Sequence, residues 1–407
     1  MVPELRRAFN AAFTEEKHRA LLAGLAREVG FAVDFRVSET PIFLDVAVSR
    51  RLAEAADDVL AAVTAPGYLE AARRAVPPDL AVPGPEGHPP FLQVDFALTW
   101  GAEGELLPQL IELQGFPSLY GFQWLLDRET RRAFPGAVPD GWTTYFGGLD
   151  PAGYVERLRR TIVGDEDPES VVLLEIDPDH QKTRIDFVAT ERLLGIAAVD
   201  PRQVFASGGR LVYRRAEPGG GAREVPIRRL YNRVILDEVT RRGFHLEHLF
   251  RRDVAELGAA WVGHPNWFFR ISKFSLPFVA SRYAPPAYFV SDLATYPADL
   301  EHYVLKPLYS FAGLGVELGP TRERLRSLPR PEEFILQRKV DYAPFVETPD
   351  VPAKAEVRMM YLWDDPDRRP VLVNNLVRMS KGAMMGVDFN KDKTWIGASL
   401  AYHPPVA

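Results

Sequence analysis

The chain has no cysteine, which excludes a disulfide framework, thiolate metal sites and cysteine nucleophiles, and leaves the redox compartment unreadable. No apolar run reaches the roughly 18 residues that a membrane-spanning helix needs. The opening Met1-Val2-Pro3-Glu4-Leu5-Arg6-Arg7 lacks the basic start and apolar core of a signal peptide, so a cytoplasmic protein without membrane association is expected. A net charge of −6 gives no general attraction to nucleic acid. His180, His245, His248, His264 and His302 form no HExxH or comparable metal spacing. A G-x-S-x-G nucleophile elbow is missing as well. There is no internal repeat, and no low-complexity tract beyond proline-rich linkers.

What is present is enough chain for two or three packed units, since 407 residues exceed the usual size of one core. Residues 1–75 carry apolar positions three and four apart, over Glu15 to Val29 and Val48 to Val63, which predicts helices. A proline-rich stretch from Val76 to Pro90 separates them from a predicted strand over Phe91 to Leu98, and Gly101 to Gly104 turns it into a hairpin returning through Leu110 to Leu113. Residues 170–240 read as strand, helix, strand: Val171 to Ile176, Gln181 to Leu194, Ile196 to Val199. That order predicts a parallel, Rossmann-like unit, although the first turn lacks the GxGxxG fingerprint of dinucleotide binding. The expected division is 1–165 (helices plus hairpin), 166–240 (α/β unit) and 241–407 (helix, then mixed strands and glycine loops).

Two segments carry chemistry. In Val304-Leu305-Lys306-Pro307-Leu308-Tyr309-Ser310-Phe311-Ala312-Gly313-Leu314-Gly315-Val316, an apolar run delivers a lysine to a loop whose glycines bare main-chain N–H groups. Such a loop can hold a phosphate, and the same pattern also opens an ordinary hairpin. In Gln109-Leu110-Ile111-Glu112-Leu113-Gln114, Glu112 and Gln114 share one face of a strand because side chains alternate. With Asp95 on the facing strand they suit Mg²⁺, or else a solvated hairpin face.

The order Lys273, glycine-loop Lys306, the strand Phe334 to Val340, then Glu356 to Leu362 and Val371 to Arg378 resembles the ATP-grasp fold. Ile111-Glu112-Leu113-Gln114-Gly115-Phe116-Pro117-Ser118-Leu119-Tyr120 is similar to the Glu-x-Asn, Pro-Thr/Ser-Leu-Tyr signature of the glutathionylspermidine synthase synthetase domain, and to the metal-binding strand of eukaryotic-type glutathione synthetase. In both, the metal strand precedes the lysine loop, the permuted order found here. The resemblance spans most of residues 90–400. It implies an α/β fold (α+β elements) with an ATP-grasp-like nucleotide-binding half and an inserted Rossmann-like substrate domain. It also implies ATP and Mg²⁺ as cofactors, and small-molecule carboxylate and amine substrates joined as an amide through an acyl phosphate.

Residue by residue, the resemblance assigns Asp95, Glu112 and Gln114 to the metal, and Lys273, Lys306, Ser310, Gly313, Gly315, Gln337, Lys339 and Val340 to the nucleotide. Arg378 falls near the transferred phosphate and Arg233 at the acceptor substrate. Two departures stand out. Gln114 replaces an asparagine, and Ser310 replaces a metal-binding glutamate, so the metal site could be weaker, completed by water, or rebuilt with Asp388 and Asn390, a segment equally suited to a turn. The departures support one alternative, an ATP-binding sensor or partner protein with reduced catalysis, and a phosphotransferase acting on another acceptor stays open because it would use the same ATP site. Assembly into a homo-oligomer also stays open.

Overall fold

The computed structural model describes residues 1–406 apart from 218, 311–313, 366–367 and 386–388; Gly313 and Asp388 therefore lie outside the described residues. The helical opening is built as its periodicity predicts. Glu15–Val29 is capped by the Thr14 hydroxyl, which accepts from the Lys17 N–H, and ends at left-handed Gly30; Val46–Thr64 is capped by Asp45, each side-chain oxygen satisfying a donor that the first turn leaves open. The apolar side of Val46–Thr64 packs on Leu92, Val94, Phe96 and Leu98.

Those residues belong to a five-stranded antiparallel sheet in the order Gly397–Ser399, Val371–Ser380, Lys354–Leu362, Phe91–Trp100, Leu106–Gln114. Phe91–Trp100 is buried on both faces up to Leu98. Leu106–Gln114 alternates and forms an edge, where Pro108 costs no ladder bond because an edge strand has one unpaired side. Main-chain groups cover part of that edge: Leu110 donates to the Tyr283 carbonyl at 2.7 Å and Gly115 to Ile271 at 2.8 Å.

A second sheet is wholly parallel, in the order Ala260–Val262, Arg229–Asn232, Val171–Leu174, Ala197–Val199. The helix Arg184–Leu194 connects its last two strands. This is the Rossmann-like unit, with its fourth strand drawn from beyond residue 240. The chain reverses direction of travel between Val171–Leu174 and Arg229–Asn232, the place where parallel sheets open a crevice at their carboxyl ends. A third sheet, antiparallel, runs Ala287–Phe289, Phe334–Arg338, Tyr303–Pro307, Glu317–Leu318. Among the described residues, no helix is long and apolar enough to cross a membrane.

Candidate functional site: a charged sheet face met by two lysines

Strand alternation puts Phe91, Gln93 and Asp95 on one face of the five-stranded sheet, and register extends the row sideways. Asp95 lies opposite Glu112 on one side and Arg358 on the other, while Glu356 lies opposite Arg378. The face changes character along the strands: Phe91, Met360, Leu362 and Leu376 share an apolar cluster, while Gln93, Asp95, Arg358, Glu356 and Arg378 are ionic or amide. Arg358 forks onto Asp95, Nε to Oδ1 at 2.6 Å and a terminal nitrogen to Oδ2 at 2.7 Å, and donates to Gln93 at 3.0 Å. Arg378 donates to Asp95 Oδ2 at 2.8 Å and also to Glu356; Glu356 accepts in addition from the Tyr342 hydroxyl at 2.6 Å.

Burial raises the Asp95 carboxyl's pKa, but Arg358 and then Arg378 outweigh it and hold the group below its ordinary value. Burial likewise opposes the charge of Arg378, and Glu356 and Asp95 outweigh that, so its pKa is raised. The Tyr342 hydroxyl, buried beside Glu356, is pushed well above its usual range.

Two lysines reach this face from different elements. Lys306, on Tyr303–Pro307, donates to the Ile111 carbonyl at 3.0 Å and to Gln337 Oε1 at 2.6 Å, and Gln337 donates in turn to Leu110 at 3.1 Å. The antiparallel sheet thus grips the carbonyls of the edge strand that bears Glu112. Burial brings the Lys306 pKa down from 10.5 to about 8, with Glu112 opposing the shift and Lys273 adding to it. Lys273 starts a short 3₁₀ segment capped by Ser272. Its ammonium donates to the Ser310 carbonyl at 2.6 Å and lies 3.4 Å from Glu112 Oε1, to which Gln114 also donates at 3.3 Å.

The fold therefore collects Asp95, Glu112, Gln114, Lys273, Lys306, Gln337, Ser310 and Arg378 in one region. The Ser310 hydroxyl is buried with no partner among the described residues. Gly315 has φ +72° and a Cβ there would lie 2.9 Å from Pro307, so both conformation and packing demand glycine. Lys339 is exposed and 3.4 Å from Asp341; Lys339 and Val340 follow directly after the end of Phe334–Arg338. Asn374 and Asn375 do not join the charged face. They bind Thr144 and Ala401. Asn390 closes a turn, accepting from the main chain of Lys381 and Gly382.

The donor set does not fit a Mg²⁺ site. Mg²⁺ needs free oxygen lone pairs in near-octahedral array. Both Asp95 oxygens are taken by guanidinium groups, Glu112 faces an ammonium, and the loop supplies Ser310 instead of a carboxylate. Among the described residues, no three His, Asp or Glu side chains are grouped so as to hold a metal.

Arg233 sits elsewhere, at the carboxyl end of the parallel sheet. It is buried, 3.3 Å from Asp186, with its guanidinium 5.5 Å from the Phe116 ring and 5.1 Å from Phe187; among the described residues its Nε has no partner. Asp186 also accepts from the main chain of Leu119 and Phe122 at the start of the helix Tyr120–Ala133. On the neighbouring strand end, burial lifts the Glu175 carboxyl to about 8 against the pull of Arg233. Sequence reasoning passed over Arg358, Glu356 and Glu175. The first two were visible as alternate positions of one strand, whereas Glu175 gave no signal.

No protein-family model matches the chain, and no curated protein matches it in sequence. Among solved structures it is similar to a glutathione synthetase-like effector (GSS30) from Globodera pallida in its apo form, with a TM-score of 0.53 at 9% identity, over 95% of this chain and 97% of that one. The chain has a glutathione synthetase-like α+β fold.

Proposed function

We propose that the chain is an ATP-dependent ligase of the ATP-grasp type, joining a carboxylate to an amine. One observation carries this reading: Lys273 and Lys306, 33 residues apart and on different elements, bring their ammonium groups to the strand bearing Glu112, next to Arg378 and the glycine loop. Such a constellation suits a chain of phosphates, which needs several fixed cations and bare main-chain N–H groups.

In this reading the γ-phosphoryl group of ATP passes to a carboxylate oxygen of the substrate, releasing ADP and leaving an acyl phosphate. The amine attacks the acyl carbon, the carbon–phosphate-oxygen bond breaks, and phosphate and a proton leave with the amide formed. Lys306 and Lys273 hold the phosphates, and Gly315 lets the loop backbone approach. The chain at Gln337, Lys339 and Val340 borders the base, and Arg378 offsets charge on the transferred group. The Gln337 side chain is committed to Lys306, so its part is to hold that ammonium. Arg233, buried and under-partnered at the sheet's open end, is suited to an acceptor carboxylate.

The test is incubation with ATP, hydroxylamine and a panel of amino acids and peptides. ADP release with hydroxamate formation supports the ligase, because hydroxylamine traps an acyl phosphate. A second reading, ATP binding without turnover, is favoured by one observation: the engagement of Asp95 by Arg358 and Arg378. ATP binding with no ADP release across the panel would select it. ADP release with a stable phosphorylated product would select a phosphotransferase instead, and lack of ATP binding would defeat all three.

A further inference from the structure

Resting on the nucleotide part of that reading, we infer that this chain binds its nucleotide as the metal-free polyphosphate anion, with side-chain cations doing the charge neutralisation that a divalent ion does elsewhere. The argument starts from the sheet. Asp95 is fixed opposite Arg358 by strand register, so their fork follows from the pairing of two central strands and not from a mobile surface contact. The Asp95 side chain is 1% exposed, and freeing it for a cation would strand Arg358, itself buried. A buried guanidinium that loses its carboxylate is far costlier than a surface pair broken.

With Asp95 committed, the remaining acids are also answered. Glu356 takes Arg378 and Tyr342, and Glu112 faces Lys273. Among the described residues, Lys273, Lys306, Arg358 and Arg378 thus stand against Asp95, Glu112 and Glu356, an excess of one positive charge in a largely buried cluster. Mg²⁺ beside phosphates needs one or two carboxylates with free lone pairs, and here Asp95, Glu112 and Glu356 each already face a cation. Lys306 strengthens the case: among the described residues its ammonium donates directly to neutral acceptors, Ile111 and Gln337, so an arriving phosphate gives it a direct anionic partner. ATP without a bound divalent ion carries more negative charge than its complex, and a cationic cluster favours the former.

Calorimetric titration of ATP into the full chain, in EDTA and in excess Mg²⁺, decides the matter. Expected is an affinity in EDTA equal to or tighter than that in Mg²⁺. Glu112→Gln should tighten metal-free binding by roughly 3- to 10-fold, since it removes an anion that faces both lysines. Tightening of about tenfold or more on adding Mg²⁺, or loss of Mg²⁺-supported binding in Glu112→Gln, would overturn the inference and leave the nucleotide reading intact. Absence of ATP binding in both buffers would overturn the nucleotide reading and the inference together.

Discussion

Lys306 ties the site to pH with a defined sign. Burial lowers its pKa to about 8; Glu112, Glu356 and Asp95 push it up and Lys273 pushes it down. An ammonium–phosphate hydrogen bond is worth about 1.5–3 kcal/mol, so Lys306→Ala should weaken ATP binding by roughly 10- to 150-fold. In the wild-type chain the same contact fades as pH rises through about 8, where the amine becomes neutral. Affinity should therefore fall between pH 7 and 9.5, and binding near pH 9 should take up a proton, because the bound phosphate restores the ammonium. Stability moves the other way. The unfolded lysine keeps its proton up to its ordinary value of 10.5, so between about 8 and 10.5 the unfolded chain binds more protons and the folded state gains with pH. The relief is on the order of 3 kcal/mol. Titration calorimetry in buffers of different ionisation enthalpy measures both affinity and proton uptake. A dissociation constant that stays flat from pH 7 to 9.5 without proton uptake would refute Lys306 as a phosphate contact.

Arg358→Leu leaves Asp95 buried without its two-pronged partner, and urea denaturation should show a loss of about 3–5 kcal/mol; a loss under about 1 kcal/mol would mean that the fork contributes little. Glu175 is held protonated up to about 8 by burial, while an unfolded glutamate ionises near 4.5, so stability falls as pH climbs across that window. Glu175→Gln should flatten the dependence of melting temperature on pH between 5 and 8.5, and an unchanged slope would show that another group titrates. Arg233→Lys keeps the charge but loses the planar fork, and should raise the KM for the carboxylate substrate roughly tenfold with ATP affinity unchanged. A fall in ATP affinity would move Arg233 to the nucleotide site, and no change in either would leave it as a structural partner of Asp186.

The reach of the sequence is set by the range of the interaction that decides each feature. Helices such as Val46–Thr64 and the strand Phe91–Trp100 are written in local periodicity, and the hairpin after Trp100 in its glycines, so they were legible. Ile42–Phe43 pairs with Ala401–Tyr402 across nearly the whole chain, and two residues hold no period to read. The same limit separates the residues of the charged face from their partners. Lys306 and Glu112 each stood out beside a glycine loop or an alternating strand, but the partner of Asp95 is 263 positions away and is selected only when strands register. That pairing is the chemically decisive one. With arginines opposite, Asp95 is the anchor of a cationic face, whereas with free lone pairs it would be a metal ligand. A one-residue slip in the register of Lys354–Leu362 would turn Arg358 to the other face and leave Asp95 with Arg378, so the ionic character of the site is a property of strand pairing as much as of composition.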